Sequence, residues 1–255
     1  VRRGYWLLLS ALLFACAGFA SLGVWQLHRL AWKRDLIKTI DARIHAAAVA
    51  APGPALWPSI TASGDAYRRV RVEGFYRHDL ATHVLAVTVR GGGFWVITPF
   101  VADQGFTVLV NRGFVPEVGL EKPDQSQNAS HMQVNGLLRM TEPKGGFLRK
   151  NDPGAERWYS RDVMAIAEVR HLGQVAPYFI DADDTAGAPR DAPRDAPLRG
   201  PVGGPVGGLT VIDLPNNHFA YALTWFAMAV LAIGAVAVAA THTAASDTLM
   251  SSSRL

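Results

Sequence analysis

The chain has 255 residues, 49% of them apolar, and a formal net charge of +4. That length holds one medium-sized core beside two apolar helices, and the mild charge, with no basic stripe interleaved with aromatics, excludes a nucleic-acid footprint. The one cysteine, Cys16, excludes a disulfide, a thiol pair and a cysteine metal site, and with them copper chaperones and thioredoxin-like factors that work through paired thiols.

Residues 4–27, from Gly4 to Leu27, carry no charge. At 1.5 Å per residue the run is long enough to cross a hydrocarbon core of about 30 Å, with Tyr5 and Trp6 at one interface and Trp25 at the other. A cleaved signal peptide would have a shorter apolar core and would not flow into a charged helical continuation. That continuation occupies 28–50. Leu27, Leu30, Ile37, Ile40 and Ile44 recur there at helical spacing until Ala51-Pro52-Gly53-Pro54 ends it.

A strand-rich domain is predicted over 51–183. Arg69, Arg71 and Glu73 alternate with Val70, Val72 and Phe75-Tyr76, the pattern of a half-buried antiparallel strand. Strands are also expected at His83–Val89, Phe94–Val101, Phe106–Asn111, Gln133–Met140 and Ala176–Asp181. Gly91-Gly92-Gly93 is expected to be a turn, since neither a helix nor Lys-Ser/Thr follows to make it a phosphate loop. A short helix fits Arg161–Arg170 with Ser160 as its N-cap. Asp181, Asp183 and Asp184 are expected to be solvated, not to hold a metal. Residues 184–208 contain APRD twice and GPVG twice, a flexible or polyproline-like linker. A last strand, Leu209–Asp213, lies in the connection 209–218. A second uncharged span covers 219–241, from Phe219 to Thr241, and 242–255 is a tail.

Both termini then share one side of the bilayer. The basic residues after the first span place the domain on the cytoplasmic side by local count, although long loops translocate largely regardless of charge. No G-x-S-x-G, H-E-x-x-H, Walker or dinucleotide pattern occurs.

The most informative stretch leads from Pro215-Asn216-Asn217-His218 into the second span. His218, Tyr221, Ala222 and Trp225 fall at i, i+3, i+4 and i+7, on one helical face. An imidazole over a flat aromatic surface at a membrane edge suits the axial ligand of a planar cofactor such as haem; the alternative is an interfacial histidine in an aromatic belt. Gly23 and Trp25 end the first span on the same membrane face, and Gly23 lets something approach closely. Arg29, one turn on, suits either a cofactor carboxylate or lipid phosphate.

Leu22-Gly23-Val24-Trp25-Gln26 with Arg29, Trp32-Lys33 and Leu36-Ile37, then Tyr67-Arg68 and Gly74-Phe75-Tyr76, then Thr98-Pro99-Phe100, form an ordered series. Val108-Leu109-Val110-Asn111-Arg112-Gly113-Phe114-Val115-Pro116, Asn151-Asp152-Pro153, Trp158-Tyr159 with Asp162, and Asn217-His218 with Tyr221-Ala222 and Thr224-Trp225-Phe226 continue it. The chain thereby resembles, over nearly its whole length, the Surfeit-locus (Surf/Shy) family of cytochrome c oxidase assembly proteins in its bacterial form. Phe114 stands where the family usually has Trp, and the Pro/Gly-rich stretch looks like an insertion.

The resemblance implies an α+β membrane protein in which two transmembrane helices flank a single antiparallel β-rich domain with one or two short helices. It implies a periplasmic domain, cytoplasmic termini and an inner-membrane location. The implied role is non-enzymatic, that of a respiratory-chain chaperone that binds haem a and delivers it to the oxidase catalytic subunit, with haem a synthase as a further partner. His218 would then be the metal ligand, Trp25 and Trp225 would cover the ring, Tyr221 would line the cofactor site, and Arg29 would meet the propionates. Asn111 and Arg112 are expected to fix a turn or a domain–helix contact. Two other readings stay open: a scaffold that holds an oxidase intermediate without haem, and a membrane-tethered hydrolase.

Overall fold

The computed structural model describes residues 2–88, 91–117, 131–143, 149–183 and 216–252. The chain divides into two compact units: Val1–Thr39 with Asp213–Leu255, and Ile40–Ile212.

In the first unit, α1 (Arg2–His45) is continuous through the predicted span and its charged continuation, with its last turns belonging to the second unit. Its partner α4 (His218–Ser252) runs beyond the predicted end at Thr241. Both helices contain segments long and apolar enough to cross a membrane. They meet at Phe19–Trp225, Gly23–Phe226 and Gln26–His218. From Phe19 to Gln26 on α1 the partners pass from Trp225 back to His218 on α4, so the pair is antiparallel.

The second unit is built on one sheet, with the one-turn helix α2 (Ala62–Asp65) before its second strand: β1 (Val49–Ala50), β2 (Arg69–Tyr76), β3 (Thr82–Thr88), β4 (Gly91–Ala102), β5 (Thr107–Pro116), β6 (Met132–Met140) and β7 (Val175–Ala182). The order is β1-β2-β6-β7-β5-β4-β3, and β2 also pairs with β4, so β2-β6-β7-β5-β4 closes into a small barrel. Closure removes the sheet edges at these five strands. The sheet is mixed, not purely antiparallel as expected, because β5–β7 and β1–β2 are parallel. The long connection from β6 to β7, which carries α3 (Val163–Val169), allows β7 to lie parallel to β5.

Alternation in the sequence becomes the barrel wall. Val70, Val72 and Tyr76 of β2 are buried, while Arg71, Glu73 and Phe75 are exposed. The interior core joins them to Phe100, Val108, Val110, Val134, Leu138, Tyr178 and Ile180. A second core lies on the outer face, where Val163 and Ile166 of α3 cover Leu109, Ile97 and Phe179 together with Trp158. Each fully buried Leu, Ile or Phe contributes about 1.5–3 kcal/mol relative to exposure. With both faces covered, β5 is buried along nearly its whole length.

Several expectations change. Gly91–Gly93 is strand, not turn; a Cβ on Gly93 would lie 2.4 Å from the Val115 carbonyl oxygen, so a close strand approach requires this glycine. β5 continues past Asn111 to Pro116 because Gly113 (φ 126) lies in a bulge opposite Val96, after which pairing resumes. The cap of α3 is Asp162, which accepts from the Ala165 N–H at 3.3 Å. Ser160 is instead buried against Asn151, whose side-chain oxygen accepts from the Tyr159 and Ser160 N–H groups. The predicted linker and the strand Leu209–Asp213 lie outside the described residues.

Gly74 marks the barrel's closing corner, where β2 pairs with both Met132 and Ala102. A Cβ there would lie 2.0 Å from the Val101 carbonyl oxygen. Gly74→Ala should therefore cost about 3 kcal/mol of domain stability, read as a lowered urea midpoint.

Candidate functional site

His218 opens α4 and is half-buried. Its Nδ1 lies 2.7 Å from Oε1 of Gln26, one of the few buried polar residues, at 9% exposure. An amide oxygen only accepts, so Nδ1 donates, and the neutral ring then carries its lone pair on Nε2. Nε2 makes no hydrogen bond among the described residues. Nearby, the buried side-chain oxygen of Asn216 also has no partner among them.

The seam below is aromatic and close-packed. Phe19 stacks on Trp225 with ring centroids 5.9 Å apart and planes inclined by 24°. Gly23 lies under the Phe226 ring, which would be 2.7 Å from a Cβ at that position. The partner that Gly23 admits is therefore an α4 side chain. Ala222 and Ala229 are buried as well. Gly23→Val should wedge the helices apart from their close-packed spacing of about 8–10 Å. Spin labels at Ser21 and Thr224, with Cys16→Ser, should report a longer and broader distance distribution. An unchanged distribution would show that the seam tolerates the branch.

Trp25 and Tyr221 are exposed (56% and 57%), off the seam. At about 100° per residue on two antiparallel helices, Tyr221, Arg29 and Trp25 fall on one flank of the pair, with Trp25 turned furthest outward. The Arg29 guanidinium lies 3.9 Å over the Trp32 ring and makes no ion pair among the described residues. Thus His218, Trp225 and Ala222 share the seam with α1, while Tyr221, Trp25 and Arg29 line its flank. Gln26, Phe19 and Phe226 were not assigned roles from the sequence. A glutamine within an otherwise apolar run, one turn from Gly23, was the available signal for Gln26.

The residues fit a cofactor that asks for one neutral imidazole: Nδ1 is held, Nε2 is available, and an arginine without an anion stands on the same flank. The described residues hold no cluster of three or more His, Cys, Asp or Glu side chains that could bind a metal.

The aspartates near the linker are a correction. Asp181 is buried at 3% exposure and accepts from Asn111 at 2.8 Å, Arg139 at 2.7 Å and Arg161 at 3.3 Å. Arg161 also forks onto Glu142 at 3.0 and 2.6 Å. Burial opposes the charge of Arg161, but the Glu142 hydrogen bonds and the Asp181 and Glu142 charges outweigh it and push its pKa up. Asp183 pairs with Arg69, and Asp184 lies outside the described residues. Asn111 also accepts from the Gly113 N–H at 3.1 Å, so it clamps a bulge, not the expected turn.

An antiparallel pair of apolar helices with a histidine in the seam, together with a small closed barrel, defines a barrel-bearing helical-hairpin protein. The sequence model of the SURF1 family matches residues 13–230, and the chain belongs to that family of cytochrome oxidase assembly factors. It is 33% identical over 242 residues to Surfeit locus protein 1 of Xenopus tropicalis, covering 88% of this chain and 71% of that protein. It is 31% identical over 227 residues to the Homo sapiens protein, covering 82% and 69%. To the SURF1-like protein of Monosiga brevicollis it is 32% identical over 251 residues, covering 91% and 87%.

Proposed function

We propose that this chain is a bacterial inner-membrane assembly factor that binds haem a and passes it to the catalytic subunit of cytochrome c oxidase. α1 and α4 cross the bilayer, the barrel lies in the periplasm, and the termini are cytoplasmic. When bound, haem a would supply an iron that takes an imidazole ligand and propionates that suit a guanidinium. His218 would hold the iron through Nε2, Gln26 holds the ring's tautomer and direction, and the Phe19–Trp225 stack would support the cofactor from below. Tyr221 and Trp25 would exclude water along the flank, and Arg29, now over Trp32, would meet the carboxylates. No bond in a substrate is made or broken, so the role is not enzymatic. Haem a synthase is the upstream partner in this reading.

The observation that carries it is the Nδ1–Gln26 hydrogen bond, because a ligating histidine is commonly oriented through its other nitrogen. The test is the absorption spectrum of the full chain purified from a haem-a-producing host, with the catalytic subunit sought in the same eluate. A haem band and co-purification support the reading; a colourless protein that still brings down the subunit refutes the haem role. The Phe19 ring already against Trp225 favours that second reading, a scaffold held by a plain helical hairpin.

A further inference from the structure

A second site lies in the barrel unit. The interior-facing row of β5 is Val108, Val110 and then Arg112, half-buried where the row ends. The bulge at Gly113, clamped by Asn111, begins immediately after it and fixes the local backbone. Arg112 Nη1 lies 2.9 Å from Nδ1 of His78, and its guanidinium carbon lies 5.3 Å from the Tyr76 ring centroid. A guanidinium only donates, so His78 Nδ1 accepts and, in this contact, the imidazole is neutral. The other half-buried arginines of the barrel strands have carboxylates: Arg69 has Asp183, and Arg139 has Asp181. Arg112 has no carboxylate among the described residues. Burial pulls its pKa down and outweighs the opposing effect of the Tyr76 hydroxyl. On the facing strand, one register step below, the fully buried Thr98 hydroxyl has no partner among the described residues.

A cation kept half out of water beside neutral groups is costly unless an anion completes it. We propose that Arg112, set by the Asn111-clamped bulge and backed by His78 and Tyr76, is a receptor for a carboxylate, an acidic side chain of a protein that docks on this end of the barrel. Charge complementarity selects the occupant: the site offers one planar fork and aromatic backing, which match a single carboxylate. It is independent of what His218 binds.

The test uses the full chain in detergent micelles with nitrogen-15 in Arg and Gly, reading Arg112 Nε and the Gly113 amide. The probes are a capped tripeptide with one central glutamate, its glutamine counterpart, acetate, and chloride at equal ionic strength. The glutamate peptide and acetate should give saturable shifts, with half-saturation of about 1–10 mM for so small a contact. The glutamine peptide and chloride should give none. Arg112→Gln should abolish the Gly113 shift, and Arg112→Lys, which keeps the charge and safeguards folding, should weaken it severalfold. Arg71→Gln, on the exposed face of β2, should leave it intact. Equal shifts with chloride or the glutamine peptide, an unchanged response in Arg112→Lys, or no response to any probe would overturn the proposal. Binding of acetate without the peptide would overturn the protein side chain as its source.

Discussion

With His218→Ala, protein purified from a haem-a-producing host should lose its haem band while its yield and helix content stay near wild type. The side chain is half-buried at the first position of α4, and its side-chain hydrogen bond among the described residues is the one to Gln26, so truncation removes the imidazole without opening a core. Gln26→Leu should leave the imidazole in place but free to rotate, lowering haem affinity by about 10–100-fold, the usual cost of losing a ligand's orienting partner. A His218→Gly variant supplied with free imidazole should recover the band, which separates ligation from helix folding. If alanine at position 218 keeps both band and stoichiometry, the iron sits elsewhere.

Asp181→Ala should destabilise the barrel unit by about 3–5 kcal/mol, the range for removing one partner of a buried ion pair. The carboxylate joins Asn111 on β5, Arg139 on β6 and Arg161 before α3, so its loss leaves two half-buried guanidiniums with the more exposed Glu142 as their shared anion. The readout is the urea midpoint of the full chain in detergent, followed by domain tryptophan fluorescence. Asn111→Ala alone removes the Gly113 contact and one Asp181 contact and should cost about 1–3 kcal/mol. The double variant should fall short of additivity by about 1 kcal/mol or more, because the two side chains act as one unit. Full additivity would mean that Asp181 does not steady the bulge.

The strands of the domain were legible wherever one face is polar. β2 alternates because its outer face meets water, and its predicted residues are those observed. The Gly-rich start of β4 and the far half of β5 were not legible. A glycine accommodating a neighbouring backbone looks the same as one making a turn until the neighbour is known. Gln26 was hidden for a related reason: its partner lies 192 positions away. Asp181 and Asp183 differ from expectation because a run of acids beside a low-complexity segment says nothing about the arginines that strand pairing brings to it.

Two long apolar helices, a half-polar strand pattern and a histidine opening the second helix follow from local order alone, since hydropathy and spacing are properties of neighbours along the chain. Barrel closure through β2 and β4, the parallel seating of β7, the carboxylate shared by Asn111, Arg139 and Arg161, and the glutamine that orients His218 required the tertiary structure. Each depends on residues far apart in sequence, and backbone pairing and side-chain hydrogen bonds select partners by distance in space.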